Sequence, residues 1–164
     1  MISNEKKSSL ILYPLLSLLF VLGILFNDFI GIAGIRPDIL LVFLIVLALQ
    51  ESALIAIIAA FLFGLLQDLV LPATLQYWGL SALAKTLLLF TLLKLLPLII
   101  RLRNILFFLS LFGMIFIYYL FYNLLYYAGF INWLTVIYRY TLPESAYTFL
   151  ILMLVHMIFP LREK

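Results

Sequence analysis

Cysteine is absent from the 164-residue chain, and histidine occurs once, at His156. The first absence excludes a disulfide framework, a thiolate catalyst and any cysteine-based metal site. The second removes most acid–base and metal schemes built on imidazole. Charge is scarce as well. Only 10% of residues are Asp, Glu, Lys or Arg, against about a quarter in a soluble domain. There is no polar stretch long enough for a soluble second domain and no glycine-rich phosphate loop. What fills the chain instead is apolar: 68% of residues are hydrophobic. No globular core needs that excess, so the solvent for most of the chain is lipid. The net charge of +3 is not a nucleic-acid signal, because the basic residues sit at segment ends, where they orient membrane helices.

The pattern predicts an all-α, polytopic membrane bundle forming one domain over residues 1–164. A first helix is expected at Leu10–Phe26, after a short segment carrying Lys6 and Lys7. It resembles a signal peptide but lacks a small-residue cleavage site, so it reads as a retained span. Gly31 and Gly34 make the following loop. Arg36-Pro37-Asp38 then opens the next helix, with Pro37 suited to a first helical position and Asp38 to the positive helix end. From Ile39 to Leu66 two readings compete. One is a single long, tilted helix. The other is a hairpin of two short helices, Ile39–Leu49 and Ala53–Leu66, broken at Gln50-Glu51-Ser52. The short pieces fall below the roughly 20 residues of a full span, but Glu51 favours the hairpin because a charge in mid-bilayer is costly.

Later helices are expected near Tyr77–Leu96, within Asn104–Ile131 and near Ser145–Phe159, with Pro143 and Glu144 starting the last and Pro160 ending it. Tyr118, Tyr119, Tyr122, Tyr126, Tyr127 and Trp133 read as an interfacial aromatic belt. With the hairpin there are six spans and both termini are cytoplasmic. Lys6, Lys7, Lys94, Arg101, Arg103, Arg162 and Lys164 then face inward, and only Arg36 and Arg139 face out. With one long helix, Lys94, Arg101 and Arg103 would move outside, which the positive-inside rule opposes.

Catalysis requires a nucleophile with a base, paired carboxylates or a metal cluster, and none is evident, nor is any cofactor site. Asp28, Asp38, Asp68 and Glu144 all fall at expected helix ends, where an acid is structurally ordinary. His156 reads as a packing residue. Gly64 and Gly79 read as small residues permitting close helix approach. Lys85 is the exception, because it lies well inside an apolar helix. Three roles are open to it: its stem snorkels to the surface, it pairs with Asp38 or Asp68 inside the bundle, or it meets a partner protein. The internal pair is favoured, since both acids lie on the side toward which Lys85 reaches.

Three runs together suggest a family. Arg36-Pro37-Asp38-Ile39-Leu40-Leu41 resembles the opening of the second helix in the rod shape-determining protein MreD family. Phe63-Gly64-Leu65-Leu66-Gln67-Asp68 resembles that family's G-L-x-x-D element. Trp78-Gly79-Leu80-Ser81-Ala82-Leu83-Ala84-Lys85 resembles its G-x-x-A-L element, while Leu71-Pro72-Ala73-Thr74 departs from the Gly or Ser found there in many relatives. The resemblance implies a non-enzymatic scaffold of bacterial cell-wall elongation in the cytoplasmic membrane. It would bind the bitopic protein MreC and work with MreB, RodA and a class B penicillin-binding protein. It also implies a fold similar to the substrate-binding subunits of energy-coupling-factor vitamin transporters, and hence an alternative role as a small-molecule binder. Helices with few Asn, Gln, Ser or Thr before Gln67 favour the scaffold.

Overall fold

A computed structural model describes residues 35–70 and 78–158. The expected helix at Leu10–Phe26, the glycine loop before Arg36, the Leu71–Thr74 segment and the basic tail lie outside the described residues.

The first described helix, α1 (Ile39–Gln50), is apolar on every side. At the helical rise its 12 residues span only about 18 Å, short of the roughly 30 Å hydrocarbon core. The deficit is tolerated because α1 is an interior helix. It is buried over nearly its whole length, with Leu41 and Leu44 at 0% exposure, as expected of a helix without a polar face. Asp38 is its N-cap and accepts the Leu41 N–H at 2.9 Å. Pro37 therefore precedes the cap instead of occupying the first helical position. At the other end, Glu51 is extended (φ −106°, ψ 178°) and the helical path breaks. The stretch from Ile39 onward is thus two helices, not one.

The second, α2 (Ala53–Val70), runs four residues beyond the expected Leu66, so Asp68 lies inside its last turn. Only Ala56, Ala60, Gly64 and Asp68 are buried. Their four-residue spacing puts one narrow stripe against α3 (Leu80–Ile99). The backbones meet at Gly64: a Cβ built there would fall 2.4 Å from the Ala82 Cα, with no flexible side chain to give way. Gly79, just before α3, has a different reason from the packing expected of it. Its φ is +87°, with nothing within 4 Å of a built Cβ, so the left-handed backbone selects glycine. Helix α3 continues past Leu96 through the exposed Pro97. The missing N–H falls in the last turn, where membrane helices accommodate proline.

A short turn leads to α4 (Asn104–Tyr126), and Asn132 then caps a four-residue helix, α5 (Trp133–Val136). A π-helical turn over Ile137–Thr141 joins α5 directly to α6 (Leu142–Ile158). The last helix thus begins before Pro143, contrary to the expected start. A proline inside a regular helix clashes with the carbonyl four residues back, here Arg139, and the widened π turn relieves that clash. Helix α1 packs against α2, α3 and α6, while α4 packs against α3 and α6. Helices α2, α3 and α4 are each long and apolar enough to cross a membrane. Their outward faces carry large apolar side chains such as Leu54, Leu98 and Ile105.

Candidate functional site

The polar centre of the bundle forms around Lys85, the sixth residue of α3, about 8 Å from that helix's start at 1.5 Å per residue. Its ammonium does not reach the surface: Lys85 is 0% exposed and forms an ion pair with Asp38. It also donates to the Tyr118 hydroxyl at 2.8 Å and sits 5.2 Å from that ring's centroid. The Tyr118 hydroxyl in turn donates to the same Asp38 oxygen at 3.2 Å. The other carboxylate oxygen takes the Leu41 N–H at the start of α1. The Asp38 N–H donates to the Tyr119 and Thr148 hydroxyls, each at 3.1 Å, and these two hydroxyls are 2.7 Å apart. Side chains from α3, α4 and α6 thus converge on the cap of α1. In low dielectric a lone ion is very costly, whereas a paired and hydrogen-bonded one is tolerated.

Asp68 is placed one turn away. Its carboxylate accepts the Ser81 and Ala82 N–H groups at 3.3 and 3.4 Å, which satisfies two open donors in the first turn of α3. Because Ser81 precedes Lys85 by one turn, Asp38 and Asp68 lie at the same end of the bundle. The far ends of α1 and α2 therefore return to one face, as a hairpin requires. Arg36 is exposed, and Pro37 is buried beneath the Asp38 turn.

Composition alone misassigns part of this region. Tyr118 and Tyr119 were expected in the interfacial belt, but each is only 5% exposed and turns inward. Helical periodicity was the available signal, since Tyr119, Asn123 and Tyr126 fall on one face. Glu144, expected as an ordinary helix-start acid, accepts from the Asn123 amide at 2.8 Å, and the same amide reaches the Thr141 hydroxyl at 3.4 Å. Thr148, one turn after Glu144, links this second cluster to Asp38. Tyr122 stacks between Tyr118 and Tyr126 at 6.1 and 6.0 Å. Beyond the end of α4, burial and then the neighbouring Tyr140 push the Tyr127 phenol up to about 12, so it stays neutral. His156 packs edge-on against Phe108 at 4.9 Å. No group of three or more His, Cys, Asp or Glu suited to a metal occurs among the described residues.

Interior polar groups locked onto one another, inside helices whose outer faces are apolar, define an α-helical membrane protein with an ion-paired core. The rod shape-determining protein MreD family matches residues 5–163, nearly the whole chain, and the chain belongs to that family. No curated protein and no solved structure matches it. Membership assigns the chain a role in rod-shape determination, within the MreBCD shape system.

Proposed function

We propose that the protein is a non-enzymatic membrane scaffold of the cell-elongation machinery, a single domain of six spans in the bacterial inner membrane with both termini cytoplasmic. In this reading it binds MreC and, with it, ties RodA and a class B penicillin-binding protein to MreB. The observation that carries the reading is the closure of the polar centre. Lys85, Asp38, Tyr118, Tyr119 and Thr148 satisfy one another, so they act as a lock between helices and are not a polar cavity awaiting a ligand. The competing reading, a vitamin-like substrate subunit of a transporter, calls for convergent polar groups lining an open cavity. The groove between α3 and α4 is apolar instead. Crosslinking in native membranes, followed by pull-down and mass spectrometry, tests the choice. Recovery of MreC supports the scaffold, and recovery of a transporter energising module overturns it.

A further inference from the structure

The outer surface of the bundle is broken by a groove of about 260 Å³ between α3 and α4. Ala84, Leu87 and Thr91 form one wall, and Met114, Ile117 and Phe121 form the other. Leu87 and Ile117 are largely exposed, so the groove opens sideways from the bundle. Its one hydroxyl on α3 is already engaged, since Thr91 donates to the Leu87 carbonyl at 2.8 Å. Leu88 and Tyr118 also line it, and the Tyr118 hydroxyl is engaged by Lys85 and Asp38, so the walls offer hydrocarbon and no free polar partner.

The track is charged at one end. On α3, Lys94 follows Thr91 by one turn, on the same side of the helix. The α3–α4 turn then adds Arg101 and Arg103, and all three cations are exposed. The Lys94 ammonium lies over the Phe90 ring at 4.8 Å. Glu51 is the one carboxylate at that end of the bundle among the described residues, so the cations outnumber it. Asp38, Asp68 and Glu144 are all at or near the opposite end. The groove itself, from Ala84 to Thr91, is about 10 Å long, and its Thr91 end lies about 12 Å from Ile99 at the cationic end of α3.

We propose that this groove seats one acyl chain of an anionic phospholipid from the adjacent leaflet, with the headgroup phosphate held by Lys94, Arg101 and Arg103. The match is threefold: an apolar groove, open to the side, at the depth that the far part of an acyl chain from the cationic end reaches, with Lys94 one turn beyond the groove and Arg101 and Arg103 past the helix end. Juxtamembrane clusters of Lys and Arg attract anionic lipids, and a channel beneath the cluster converts that attraction into a site. The inference requires only that α3 and α4 cross the bilayer, and it does not depend on any protein partner.

Native mass spectrometry of the full-length protein, titrated with phosphatidylglycerol or phosphatidylcholine of identical chains, tests it. The unaltered protein should retain phosphatidylglycerol at least tenfold more strongly. The triple change Lys94→Gln, Arg101→Gln and Arg103→Gln should abolish that preference. Filling the groove with Leu87→Trp and Ile117→Trp should weaken retention of both lipids. All five positions are exposed, and unchanged melting in lipid-free detergent verifies the fold of each variant. A preference that survives the triple change overturns the headgroup site. Full retention by the filled variant overturns the acyl seat. A photocrosslinker at position 117 that captures a protein helix in native membranes, in place of phospholipid, overturns the choice of occupant.

Discussion

At the residue scale, the Lys85–Asp38 pair sets the clearest expectation. Lys85→Met strands a carboxylate among apolar helices, and removing one member of a buried pair costs about 3–5 kcal/mol. Adding Asp38→Asn removes the stranded charge and keeps an oxygen to cap Leu41, so the double variant should regain much of the loss. Thermal melting in detergent measures both, and a Lys85→Met protein that melts like its parent would remove the structural role. Pull-down of the double variant adds a second readout: if its stability returns without partner binding, Lys85 also serves recognition. The sequence made this pair legible because a lysine inside an apolar helix needs an explanation. Tyr118, Tyr119 and Thr148 were harder to foresee. Hydroxyl-bearing side chains are common at interfaces and in interiors alike, and only helix rotation decides which.

At the element scale, the α2–α3 contact rests on a missing side chain. Gly64→Ala should push the helices apart and cost about 1–3 kcal/mol, as overpacking does. Gly113, on α4, has nothing within 4 Å of a built Cβ. There the same exchange should be neutral or stabilise by about 0.4–1 kcal/mol through the unfolded chain. Gly79→Ala forces a Cβ into a left-handed backbone and should cost about 1–2 kcal/mol. Parallel melting curves of the three variants check the order, and a Gly64→Ala protein as stable as Gly113→Ala refutes the close-contact account. The break at Glu51–Ser52 was readable because charge seeks the end of an apolar helix. The start of α6 was not. Pro143 reads as a helix opener, and the π turn before it lets the helix begin earlier.

At the scale of the whole molecule, the lack of native cysteine makes topology directly measurable. In the proposed orientation, Phe130→Cys should react with an impermeant maleimide on intact spheroplasts. Arg103→Cys, Ser3→Cys and Lys164→Cys should react only after permeabilisation. The reverse pattern at any one of them rejects the arrangement with both termini inside. The class of the molecule was legible from composition, because lipid as solvent imposes a single gross pattern. Its interior order was not, since α1 looks like a short span by length and is in fact a buried helix packed against α2, α3 and α6. That arrangement also places a demand on synthesis. Asp38 is made 47 residues before Lys85 and 110 before Thr148. At about 5–20 residues per second, the carboxylate waits roughly 2–10 s for its cation and roughly 6–22 s for the hydroxyl that completes its surroundings. Until Lys85 is made, the Asp38 carboxylate lacks the cation that it pairs with in the folded bundle. Pulse-chase labelling should therefore find chains truncated at Gly79, which end before Lys85, degraded faster than chains truncated at Asn132, which carry it, and equal lifetimes would mean that Asp38 is sheltered by something other than its final neighbours.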